Sequence, residues 1–92
     1  MPYMKQSDRN KWISNLGLLR EIMRTQGVSV SDLNFMIAYM CQSYLKYNGN
    51  DYQSHCEIEG VLQGISKTFY RKFTEPYEDN KIEENGDIDI SY

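Results

Sequence analysis

Apolar residues recur along most of this chain with the spacing of helices. Trp12, Leu16, Leu19 and Met23 fall at i, i+4, i+7 and i+11 between the cap candidates Ser7 and Asp8 and the stop at Gly27, which predicts a first amphipathic helix. A second helix is expected after Ser31-Asp32, with Leu33, Met36, Ile37, Met40 and Tyr44 on one face, ending in the turn Tyr47-Asn48-Gly49-Asn50. Phe35 and Tyr39 lie on its opposite side. A helix that is apolar on two faces is covered on both, and in so short a chain the second cover is expected from another subunit. Phe35 and Tyr39 are therefore candidate interface residues.

The third helix is expected from Ser54 to Glu75, with Ile58, Leu62, Ile65, Phe69 and Phe73 as its core stripe. Gly60, Gly64, Lys67 and Arg71 share the opposite line. Each interior glycine costs a helix about 0.8–1 kcal/mol relative to alanine, so two on one outward face predict a partner that approaches closely. Pro76 should end or kink this helix, because it lacks an N–H and restrains the residue before it. Tyr77 to Ile82 can add one helical turn, Asn85-Gly86 marks another turn, and Asp87 to Tyr92 alternate with period two, a pattern that fits a short strand or a frayed end. The predicted architecture is all-α: a three-helix protomer in one domain, residues 1–82, with a short irregular acidic C-terminal tail, residues 83–92. Assembly into a helical homo-oligomer, dimer or tetramer, is expected.

Composition supports one small domain. The chain has 92 residues, 40% hydrophobic and 25% charged, with a mean hydropathy of -0.67. Such a length builds only a modest core, which strengthens the expectation of oligomerisation. Apolar runs are too short for a membrane span, and charges interrupt the first nineteen residues, so the expected setting is cytoplasmic, with no membrane partner. The net charge of -3 hides a dipole: residues 1–24 carry +3 and residues 75–92 carry -6. An acidic end of this kind can meet a basic helix, mimic nucleic-acid charge, or stay solvated.

Catalytic chemistry is poorly represented. His55 is the single histidine and Cys41 and Cys56 lack metal-ligand spacing, so no metal and no cofactor are expected and the cysteines read as reduced thiols. His55 and Cys56 are neighbours, and adjacent helical residues point about 100° apart, which does not suit a nucleophile–base pair. Glu57 and Glu59 fit the ordinary preference of carboxylates for a helix's first turns. The expectation is a protein that is not an enzyme. Binding is better served: Lys67, Arg71 and Lys72 supply phosphate-directed cations beside the ring of Tyr70, and Gly60 and Gly64 leave room for a flat ligand or a second helix. Double-stranded nucleic acid is not expected as a partner, because the cations are divided between two helices of an acidic chain.

The segments MPYMKQSDR, DLNFMI and GVLQGISKTFYRKFTEPYEDNKIEENGD resemble a family of short helical proteins from prokaryotes and their viruses, known chiefly as one of uncharacterised function. The resemblance implies that Pro2, Tyr3, Arg9, Asn34, Gly60, Tyr70, Arg71, Pro76, Tyr77, Glu78, Asp79, Lys81, Ile82, Asn85, Gly86 and Asp87 recur. Lys72 stands where arginine is usual, and Gly64 where a larger residue is usual. By size and chemistry the chain also resembles phage anti-defence proteins, among them oligomeric sponges that sequester cyclic-nucleotide immune signals. On that comparison Arg71 with Lys67 or Lys72 would hold phosphates, Tyr70, Tyr77 and Tyr3 would bracket bases, Asn34 would read a polar edge, and Arg9 would reach a neighbour's phosphate. The alternatives are an interaction protein that inhibits a host defence enzyme through its acidic end, and an accessory structural component of a phage.

Overall fold

The computed structural model describes residues 4–88, and among them every regular element is helical. A 3₁₀ turn at Gln6–Arg9 leads into α1, Asn10–Gln26. The helices α2, Val30–Asn48, and α3, Tyr52–Phe69, follow. A π-helical segment, Tyr70–Thr74, then joins α3 to α4, Glu75–Asn85. The chain divides into two units at the His55–Cys56 step, within α3.

Local chemistry explains the helix ends. Gly27, Gly49 and Gly86 follow α1, α2 and α4 with φ of 80°, 109° and 86°, and each amide donates back to a carbonyl of the last turn. Such a backbone penalises a Cβ, so glycine is the residue that can stop the helix there. At the start of α2, Ser29 and Asp32 form a reciprocal capping box: the Asp32 amide donates to Ser29 Oγ at 3.1 Å, and the Ser29 amide to Asp32 Oδ2 at 2.9 Å. The helix thus begins just before the expected Ser31-Asp32. Asp51 does similar work for α3, accepting the Ser54 amide at 2.8 Å, and Ser54 is the buried residue of this turn, at 3% exposure. Ser7 and Asp8 do not cap α1; they lie in the 3₁₀ turn, whose side chains make no cap bond.

Pro76 changes the hydrogen-bond ladder without ending the helix. Its ring would meet the carbonyl four residues earlier in an α ladder, and it has no N–H to donate. The ladder widens just before it: the Glu75 amide donates to the Tyr70 carbonyl, five residues back, and Pro76 then sits in the first turn of α4, where its missing donor is harmless. One helical run therefore extends from Tyr52 to Asn85. The three-helix expectation holds only if α3, the π segment and α4 are taken together, and residues 83–85, expected in an irregular tail, complete α4. Ile88 lies beyond the helix, and the rest of the anticipated strand, residues 89–92, falls outside the described residues.

The predicted core stripes are present but not buried. Among the described residues no hydrophobic side chain is fully buried. Trp12 and Leu16 of α1 are 52% and 50% exposed, while Leu19 and Met23 are half-buried. Phe69 and Phe73 are likewise exposed, with ring centroids 5.0 Å apart. Full burial of one large apolar side chain is worth about 1.5–3 kcal/mol, and much of that is forgone here. Helices made by local signals thus carry apolar faces that still require a cover.

Candidate ligand and assembly surface

In the second unit, the end of α3 and the π segment carry the predicted cations. Lys67 lies in the last turn of α3, and Arg71 and Lys72 follow in the π segment. All three are exposed, and none takes part in the ion pairs of the described residues, which join Arg24 to Glu21 and Lys81 to Glu84. Gly60 faces open space: a Cβ built there would meet nothing within 4 Å. The close approach that its glycine suggests is therefore not made by the described residues of its own unit. Gly64 is half-buried.

The two described tyrosines of this unit are engaged. Tyr70 donates its hydroxyl to Glu78 Oε2 at 3.0 Å, across the π segment. This bond, with the negative charges of Glu78, Glu75 and Asp79, raises the phenol pKa above its ordinary value. Its hydroxyl thus serves the helix, and only its ring, 48% exposed, is open to a ligand. Tyr77 holds Lys81 Nζ over its ring at 5.7 Å. Neighbouring acids make the Tyr70 side less hospitable to an anion than the Lys67–Arg71 side.

Arg9 and Asn34 belong to the first unit. Arg9 donates from Nε to the Met4 carbonyl at 3.0 Å, and Asn34 is exposed on α2. Tyr3 lies outside the described residues. His55 pairs through Nε2 with Asn50 Oδ1 at 2.7 Å, so it serves the start of α3, and Cys41 and Cys56 are both free thiols. Among the described residues no cluster of three metal-ligating side chains occurs. No described helix is long and apolar enough to cross a membrane.

Concave surfaces occur in the first unit. Tyr39, Gln42, Ser43, Leu45, Lys46 and Asn50 line an open hollow of about 520 Å³ along α2. This hollow is not among the expected sites, although positions 39, 42, 43 and 46 share one face of α2. Phe35 and Tyr39, the expected interface residues, are 67% and 60% exposed with ring centroids 6.0 Å apart. They border an apolar hollow of about 240 Å³ with Leu19, Met36 and Met40.

A family described as Domain of unknown function (DUF6899) matches residues 1–88, nearly the whole chain. The chain belongs to this family. Membership in DUF6899 agrees with the expected resemblance to a family of uncharacterised function. No curated protein matches the DUF6899 chain, and no solved structure matches it.

Proposed function

We propose that this chain is a non-catalytic, self-assembling binding protein that sequesters a small phosphate-bearing ligand, with a cyclic nucleotide as the class that fits best. The observation that carries the reading is the exposed Lys67–Arg71 pair, unengaged by any described carboxylate and adjoining the open face at Gly60. Two cations on one helical side can hold a phosphate by charge-assisted hydrogen bonds, while a purine or pyrimidine would need flat walls, which the ring of Tyr70 and a second copy could supply. Duplication in a symmetric oligomer would set two such cation pairs around one ligand with two phosphates. Acting as a phage anti-defence sponge in a host cytoplasm is the biological role that this chemistry suits.

Calorimetric titration with a panel of cyclic di- and oligonucleotides tests it. Binding without turnover is expected, and Arg71→Ala should weaken it roughly ten- to hundredfold, the loss of one charge-assisted contact. Absence of binding across the panel by a properly assembled protein removes the proposal. One observation favours a second reading: Glu75, Glu78, Asp79, Glu83 and Glu84 are displayed on an ordered helix, α4, as an inhibitor imitating a nucleic-acid backbone would display them. In that case a host enzyme would be captured, and neutralising α4 would abolish capture without affecting nucleotide titrations.

A further inference from the structure

Three observations converge on what covers the apolar faces. In the first unit, Leu19, Ile22, Met23, Val28, Phe35 and Met36 line a groove of about 310 Å³ between α1 and α2, to which Gln26 and Asp32 add polar atoms. In the second, the Phe69–Phe73 ring pair projects 57% and 61% exposed from α3 and the π segment. Their flanks differ in charge: Arg20, with Arg24 paired to Glu21, lies on α1, and Glu75, Glu78, Asp79, Glu83 and Glu84 lie on α4, where Lys81 pairs with Glu84 alone.

We propose that the cover is a second copy of this chain, with the Phe69–Phe73 pair of one copy seated in the α1–α2 groove of the other and acidic α4 lying along the basic flank of α1. Each copy supplies both halves of the contact, so two-fold symmetry makes it twice and closes the assembly. Folding and association are then one step, because helices without a buried face are marginal in water. The assembly forms without any ligand, so its test is separate from that of nucleotide binding.

Sedimentation equilibrium and far-UV circular dichroism over a roughly hundredfold range of protein concentration decide it. The expected result is a dimer, or a closed multiple of it, whose melting temperature rises with concentration. The double substitution Phe69→Ala/Phe73→Ala should raise the dissociation constant about thirtyfold or more. As that variant can also lose its fold, charge reversal gives an independent check. A chain carrying Arg20→Glu and Arg24→Glu, and another carrying Glu75→Lys and Asp79→Lys, should each associate weakly alone and restore the assembly when mixed. A folded monomer with a concentration-independent melt would overturn the proposal. So would an assembly indifferent to the aromatic substitutions, or charge-reversed chains whose mixture associates no better than either alone.

Discussion

Replacing Gly60 with alanine separates the needs of the isolated helix from those of an assembled surface. Gly60 is helical and its absent Cβ has open space around it, so the described residues of its own unit give no steric reason for glycine. Alanine should stabilise α3 by about 0.8–1 kcal/mol, through reduced backbone entropy in the unfolded chain and better helix propensity. For a domain of this size that corresponds to a rise of roughly 4–8 °C in melting temperature. If the glycine face packs closely on a neighbour, the same methyl group is forced into a tight contact and costs about 1–3 kcal/mol there. The two effects have opposite sign and separate in the measurement. Helicity at low protein concentration should rise in Gly60→Ala; because the Phe69–Phe73 contact lies on the opposite side of the helix, the association constant from sedimentation should fall, roughly five- to hundredfold, only where a second contact forms at the glycine face. A variant with raised helicity, unchanged association and unchanged ligand affinity would refute the reasoning: glycine at 60 would then serve no contact. Gly64→Ala tests the half-buried neighbour, with a smaller effect expected if Gly60 is the point of nearest approach.

Other consequences are local. Ser29→Ala removes one arm of the α2 capping box and should cost about 1 kcal/mol, seen as reduced amide protection in the first turn of α2. The hydrogen bonds from the Ser29 amide and hydroxyl hold Asp32 below its ordinary pKa of 3.8, so its contribution is complete above that value and is lost as pH falls through the lowered one. An acid titration of α2 helicity that steepens below pH 3.8 in the native chain, and not in Asp32→Asn, is expected. Tyr70 has the reverse sign: its phenol pKa is raised above 10.0 by the bond to Glu78, so its contribution is present below 10.0 and lost as pH rises through the elevated value. Phenolate absorbance should show one late-titrating tyrosine that disappears in Tyr70→Phe and moves earlier in Glu78→Gln. Pro76→Ala restores a donor to the ladder and removes the ring's clash, so the π segment should revert to α geometry. Amide exchange and carbonyl chemical shifts over residues 70–76 would report it; a persistent π ladder in that variant would show that proline is not its cause.

Residues 27, 49 and 86 show why the helix ends were readable from sequence. Each is a glycine at the end of an apolar period, and the backbone it adopts depends only on its own lack of a Cβ. The start of α2 was readable to within two residues, since its capping box lies within four consecutive positions, Ser29 to Asp32. The π segment was harder. Pro76 announced a disturbed ladder, but a broken helix and a widened one satisfy its missing N–H equally well, and the neighbouring Tyr70–Glu78 bond, eight residues apart in sequence, accompanies the widened form. The extent of α4 was underestimated for a related reason: its five acids suggest a solvated tail, while the cap at Gly86 and the first-turn position of Pro76 support a helix.

The candidate site divides along the same line. Lys67, Arg71 and Gly60 could be placed on one side of a helix from spacing alone, because a helix is a local object with a fixed period. That Tyr70 gives its hydroxyl to Glu78, that Arg9 is tied to the Met4 carbonyl, and that a hollow opens beside Lys46 required coordinates. By itself the sequence determined that the chain is helical, where most helices begin and end, and which stripe of each is apolar. Tertiary structure decided what those stripes meet. Periodicity records that Leu16, Phe35 and Phe73 prefer to leave water, but burial is a property of two surfaces together, and these three side chains remain half exposed or more.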